Sequence, residues 1–387
     1  MSKLLSRQGV RDGLLGAALL CAMLALIVWP QESAQAVRDG LLLCYNVILP
    51  SLFPFFILSS LVVSLGLSGY LGRLLEPVMA PVFHVSGCCA SALVLGFIGG
   101  YPVGARTAIS LYESGACSRT ETERMLAFCN NSGPAFILGV VGAGVFADSR
   151  VGVLLCLTHM AASLCVGVLF RFYKRGDLPR SGGRSTQIRA ERFSTALVDA
   201  VTGSLRSTLS ICAFVTLFTV VIRMLTTAGV FGLLSALLER LLGPLGLSTL
   251  WAQRLLTGAL ELSSGVWSLT GAGSLSGKLS MAAFMLGWAG VSVHCQVLTF
   301  IGGSGLSTRT YFWGKLLHGG LSALFTAVLA RVVPLGASVS AVLATQVADI
   351  AGTDFHTALT VSTVAAWVLF LFFFLCAGTS LEMKRKT

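Results

Sequence analysis

Charge is what this chain has least of. Only 11% of its 387 residues are Asp, Glu, Lys or Arg, against roughly 25% in a soluble domain. With so little polar surface to offer water, an ordinary soluble globular protein is excluded. Acidic residues are the scarcest class, 16 against 27 basic ones. No CxxC pair occurs, and no cysteine spacing suggests a zinc site. No glycine-rich phosphate loop and no nucleophile–base arrangement is present either. The residues therefore predict no enzyme, no catalytic group, no cofactor and no metal. The eleven cysteines read as small apolar packing residues. Cys88 and Cys89 are adjacent and cannot readily bridge each other.

What is present is apolar: 55% of the chain belongs to the AVILMFWYC set. About 20 such residues cross the hydrocarbon of a bilayer as a helix. Stretches 13–29, 151–170, 207–222, 311–333 and 357–377 approach or meet that length. Stretch 45–65 does too, with Pro50 and Pro54 expected to bend it. The net charge of +11 is concentrated beside these runs. Seven basic residues lie between Arg171 and Phe193, Lys3, Arg7 and Arg11 precede the first run, and Lys384, Arg385 and Lys386 follow the last. Such flanks mark the cytoplasmic side of a membrane protein rather than a nucleic-acid surface. The start of the chain, with Ala34-Gln35-Ala36 after the first run, also resembles a signal peptide. Its apolar core is longer than usual, so an uncleaved span is expected.

Two apolar stretches are too interrupted to be straight helices. Residues 87–115 break at Gly99-Gly100-Tyr101-Pro102-Val103-Gly104, and residues 251–273 break at Glu261-Leu262-Ser263-Ser264-Gly265. Each is expected to be a re-entrant hairpin, since exposed backbone at membrane depth is tolerated only where it is buried in protein or lines a cavity. After each comes a span broken in its middle, 122–146 at Asn130-Asn131-Ser132 and 278–301 near Ser292, His294 and Gln296. Segments near 69–79 and 228–242 read as helices lying along the membrane surface.

The two sets repeat. Gly66, Gly69, Leu71, Leu74, Leu75 and Glu76 match Gly229, Gly232, Leu234, Leu237, Leu238 and Glu239 at one offset. Gly104 then matches Gly265, Leu126 and Ser132 match Leu286 and Ser292, and His159 matches His318. Alternating the spans puts both termini and the basic loop in the cytoplasm only if neither hairpin crosses, so the halves run in opposite senses. The expected fold is an all-α polytopic membrane protein, an inverted repeat with about eight transmembrane helices and two re-entrant helical hairpins. Its parts are an N-terminal span in 1–35, a first repeat in 45–171, a basic loop in 172–193, a second repeat in 207–333, and a C-terminal span and tail in 334–387.

Candidate site residues follow from the breaks. Gly100, Tyr101 and Arg106 stand at the first hairpin, and Glu261, Ser263 and Ser264 at the second. Asn130, Asn131 and Ser132 stand at one helix break, and Ser292, His294 and Gln296 at the other. A charge at depth needs a partner or water, and Glu261 is the expected partner of Arg106, either as a clamp between halves or as the polar centre of the site. The amides suit a nucleobase edge or a ribose hydroxyl, or else they satisfy the broken helices' own backbone. His159 and His318 read as neutral residues that cap carbonyls rather than as a proton relay.

The runs NVILPSLFPFFILSSLV, GGYPVGARTAISL, ERMLAFCNNSGPAFILG and KLLHGGLSALF resemble the sporulation integral membrane proteins of the YlbJ type, within the nucleoside-recognition Gate group. More distantly, FMLGWAGVSVHCQVLTFIGGSG resembles concentrative nucleoside transporters. The resemblance implies a multi-pass cell-membrane protein of endospore-forming bacteria that serves spore cortex formation. It also implies the lipid bilayer as a partner and a small polar or nucleoside-like solute as cargo. The alternative is a non-transporting factor that organises sporulation membrane partners or self-associates as a homo-oligomer. Transporters of that kind hold the nucleoside through polar side chains on both hairpins. Here the first tip offers Gly100, Tyr101 and Pro102, and Glu261 matches an acidic position of the second.

Overall fold

A computed structural model describes residues 7–65, 74–177 and 193–332. The expected C-terminal span and tail, most of the basic loop and the first part of the 66–76 repeat lie outside the described residues. Regular structure among the described residues is entirely helical. Among the described residues five helices are long and apolar enough to cross a membrane, and up to seven spans result if each of two bent pairs counts as one.

Helix α1 (Arg7–Val28) is followed by α2 (Pro30–Leu43). Pro30 stands in the first turn of α2, where its missing N–H costs nothing. A π-helical turn, Cys44–Ile48, leads into α3 (Leu49–Ser64). The chain bends by 55° between Pro30–Ile48 and Leu52–Leu58, around Pro50, which lacks the N–H that a straight helix would use. The first half continues with α4 (Ala90–Gly99), α5 (Val103–Glu113), α6 (Arg119–Leu126), the π-wound α7 (Ala135–Val145) and α8 (Ser149–Phe170). Asp148 caps α8 by accepting the Arg150 N–H at 2.9 Å. The Arg150 guanidinium beside it holds its carboxyl below the ordinary range.

The second half is α9 (Phe193–Thr227), α10 (Val230–Leu242), α11 (Thr249–Leu260), α12 (Leu262–Trp267), α13 (Leu275–Trp288), α14 (Gly290–Ile301) and α15 (Thr308–Leu329). Helix α9 is 35 residues long, well beyond the stretch 207–222 that hydropathy marks. Asp199 and Arg206 do not end it, because both lie on its exposed side. Its buried side is Ala196, Ala200, Ser204, Thr208 and Cys212, a stripe of small residues four apart that lets a neighbouring backbone come close. That neighbour is α2: a Cβ on Gly40 would stand 2.9 Å from the Thr216 Cα.

Each half contains two helices folded back on each other at glycines. A Cβ on Gly96 of α4 would lie 1.7 Å from the Cys129 carbonyl oxygen, and one on Gly104 of α5 would lie 1.9 Å from the same atom. The two arms therefore clasp that carbonyl, and no larger residue fits. In the second half a Cβ on Gly265 of α12 would lie 2.3 Å from the Gly258 Cα of α11, and one on Gly258 would meet the Met285 side chain at 2.5 Å. The arms turn at Gly100–Pro102 and at Glu261 respectively. Helical geometry is also interrupted between Phe128 and Pro134 and again at Ala289.

Candidate functional site

Both turns, the first interruption and the helix that follows the second line one cavity. Gly100 and Tyr101 come from the first turn and Glu261 and Ser263 from the second; Ser132 comes from the first break, and Ser292 and Gln296 lie just beyond the second. Leu52 and Phe56 of α3 and Phe214 and Val215 of α9 complete an apolar wall. The enclosed volume is about 50 Å³. A water molecule takes about 30 Å³ of liquid, and small-molecule pockets begin near 300 Å³. The cavity is partly open, largely apolar, and too small as it stands for a nucleoside-sized solute.

The first turn is tied to the rest by a lysine. Gly100 has φ +71°, and a Cβ there would lie 2.9 Å from the Gly133 nitrogen, so only glycine seats this turn against the helix break. Lys315 of α15 is buried. Its ammonium donates to the Tyr101 hydroxyl at 2.9 Å and to the Asn130 carbonyl at 2.9 Å, and stands 3.5 Å from His318 Nδ1. Three donors thus meet three uncharged acceptors, and no carboxylate pairs with this cation among the described residues. Tyr101 passes the chain on by donating to the Leu286 carbonyl at 2.7 Å.

The histidines complete the network. His318 Nε2 donates to the His159 carbonyl at 2.9 Å, and His159 Nε2 accepts the Ser132 N–H at 3.1 Å. Those partners assign a neutral ring to His159, whose Nε2 must be free of hydrogen, and leave His318 Nδ1 facing the ammonium. The rings lie 4.3 Å apart.

Other expected residues are present but committed elsewhere. The Asn131 side chain donates to the Phe128 carbonyl at 2.9 Å, closing the end of its own helix, and Ser163 donates to the same oxygen at 2.7 Å. Asn130 contributes its carbonyl to Lys315. His294 Nδ1 meets the Tyr311 hydroxyl at 2.8 Å, edge-on to Trp288 and Phe312. The Ser264 hydroxyl lies 3.4 Å from that of Thr219.

The Arg106–Glu261 pair does not form. Arg106 lies on the exposed side of α5. Glu261 is buried, and its two carboxylate oxygens accept the N–H groups of Ser263 at 2.9 Å and Ser264 at 2.5 Å. It is the N-cap of α12, satisfying donors that the break would otherwise strand. Lys315 was not among the expected residues. Its signal was the three-residue spacing from His318, which puts both on one helix face.

Comparison with known proteins places these features in context. Residues 46–175 match the Gate family, described as nucleoside recognition. The sporulation integral membrane protein YlbJ of Bacillus subtilis (strain 168) is 32% identical over 334 residues, covering 82% of each chain. Among solved structures, CNTnw in a state named intermediate 3 aligns with a TM-score of 0.54 at 14% identity, covering 87% of this chain and 89% of that one. The same protein in a state named intermediate 2 gives 0.52 at 14% identity, covering 85% and 88%. At such identity the likeness is one of fold, that of the concentrative nucleoside transporters.

Proposed function

The chain belongs to the family of the sporulation integral membrane protein YlbJ, and from that premise we propose that it moves or binds a small polar solute across the cell membrane during spore cortex formation. The observation that carries the reading is the cavity lined by both turns, by Ser132 at the first helix break and by α14 just beyond the second. Broken helices present free N–H and C=O groups and dipole ends at mid-membrane, the chemistry that holds a polar solute where lipid cannot. In this reading Gly100, Tyr101, Ser132, Glu261, Ser263, Ser292 and Gln296 face the solute. Asn130, Asn131, Ser264 and His294 support the frame. In this reading the cavity widens as the turns separate. The halves run in opposite senses, with both chain ends and the basic loop in the cytoplasm. A cysteine placed at Ser185 and labelled from outside intact cells would overturn that orientation.

A second reading is favoured by the size of the cavity and by the use of Glu261 and Asn131 as helix caps. It makes the protein a non-transporting factor that keeps the fold to organise cortex-building partners. Uptake into proteoliposomes of labelled uridine, adenosine and N-acetylglucosamine separates the two. The transport reading expects saturable uptake of at least one of them, lost on Ser132→Leu. Uptake no different from empty liposomes for every probe, with no thermal stabilisation by any, would leave the second reading standing.

A further inference from the structure

Three cysteines far apart in the chain meet at the base of the first hairpin. Cys88 and Cys89 occupy the turn that starts α4, and Cys117 lies between α5 and α6. The Cys117 sulfur is 3.3 Å from that of Cys88 and 3.0 Å from that of Cys89, and all three lie within 4.8 Å of one another. All are buried. The Ser86 hydroxyl sits 3.1 Å from the Cys88 sulfur, and the Ala116 carbonyl lies 3.4 Å from it. Thiols that merely fill a core touch alkyl groups. Here the sulfurs touch each other and oxygen atoms.

We propose that Cys88, Cys89 and Cys117 form a three-thiolate site for one thiophilic d10 cation, Zn²⁺ or Cu⁺, which clamps the two ends of the first hairpin. Three sulfurs each about 2.3 Å from a common ion stand roughly 3.8 Å apart, so the edges at Cys117, now 3.3 and 3.0 Å, must lengthen by about half an ångström or somewhat more to accept an ion. Cu⁺ is suited by soft thiolate ligands alone, whereas Zn²⁺ takes a fourth ligand, for which the Ser86 hydroxyl is placed. On binding, each thiol releases its proton to solvent as its sulfur–metal bond forms, and no electron is transferred.

The surroundings favour thiolates over a disulfide. Thr120, just past Cys117, donates to the Asp177 carboxylate at 2.6 Å, and Arg124 donates to the carbonyls of His84 and Lys174 at 2.7 and 2.8 Å. The cysteine cluster therefore shares its end of the molecule with the start of the basic loop. In the orientation proposed above that end is cytoplasmic, where thiols stay reduced and clustered cysteines serve metals.

The test uses the full-length protein in detergent, stripped with a chelator and titrated separately with Zn²⁺ and with Cu⁺, with Co²⁺ as a spectroscopic probe. The wild type and Cys295→Ser, which alters an exposed cysteine, are expected to bind about one ion per chain with thiolate-to-cobalt charge-transfer absorption, and Cys117→Ser to bind at least about tenfold more weakly. The preferred ion of the two titrations identifies the metal. Should Cys117→Ser fail to fold, the wild type alone decides: one equivalent of metal should protect three thiols from alkylation until the chelator returns. Absence of binding and protection in the wild type, unchanged binding by a folded Cys117→Ser, or a disulfide from Cys117 to Cys88 or Cys89 in freshly purified protein overturns the site.

Discussion

At the first helix break the chain leaves helical geometry for several residues, and side chains of α8, of α15 and of the break itself supply what its backbone lacks. His159 takes the Ser132 N–H, Ser163 and Asn131 serve the Phe128 carbonyl, and Lys315 serves that of Asn130. At the second break two residues depart, Ala289 with φ +81° and Gly290 with φ +83°, and the Ala289 N–H returns to the Met285 carbonyl at 2.8 Å. The turns differ in the same way. The first is held by Lys315 through Tyr101, while the second is closed by its own Glu261. The first break is held by side chains of α8 and α15, and the second is closed largely by its own residues. The pinning residue Lys315 comes from the second half, so the halves are joined at the buried ammonium. A change at the first break should therefore cost more than its counterpart at the second.

The sharpest contrast is steric. Gly96→Ala drives a Cβ into the Cys129 carbonyl, a backbone atom that cannot yield, and should cost roughly 3 kcal/mol with loss of a cooperative melt. Gly258→Ala meets only the flexible Met285 side chain and should cost about 1 kcal/mol. Equal losses in thermal denaturation would break the comparison.

Next in size is Lys315→Met, which strands the Asn130 carbonyl and unties Tyr101, for about 2 kcal/mol. Lys315→Arg should not restore it, because a planar guanidinium cannot point three donors at these three acceptors. A melting temperature within error of wild type for Lys315→Met would show that the ammonium does not hold the halves.

The smallest effect concerns the pair that does not form. Glu261→Gln should cost about 1 kcal/mol through a weakened cap, and Arg106→Gln less than about 0.5 kcal/mol as an exposed change. The double variant should equal their sum. A double variant more stable than Glu261→Gln alone would mean that the two side chains meet after all.

Much of this architecture was legible because the bilayer leaves few options. Gly99–Gly104 and Glu261–Gly265 interrupt runs too short to span, and matched glycines disclosed the repeat. The depth of Arg106 was not legible, since hydropathy places a helix but not which of its sides faces outward. The partner of Glu261 was not legible, because a charge suggests an opposite charge, although a carboxylate just before Ser263 and Ser264 is equally an N-cap. Lys315 sits in the second turn of α15, soon after Arg309, where a lysine reads as a membrane-surface anchor. The meeting of Cys117 with Cys88 and Cys89 follows from the hairpin itself, which returns the chain to its base, but no short spacing announces it.

That both halves line one cavity is tested most directly by cross-linking. With the exposed Cys21, Cys165 and Cys295 replaced, cysteines at Ser132 and Ser263 should be bridged within a single chain by a short membrane-permeant bifunctional thiol reagent. Cysteines at Arg106 and Ser263 should not be bridged. Failure of the first pair, or equal bridging of the second, would contradict the convergence of the two halves.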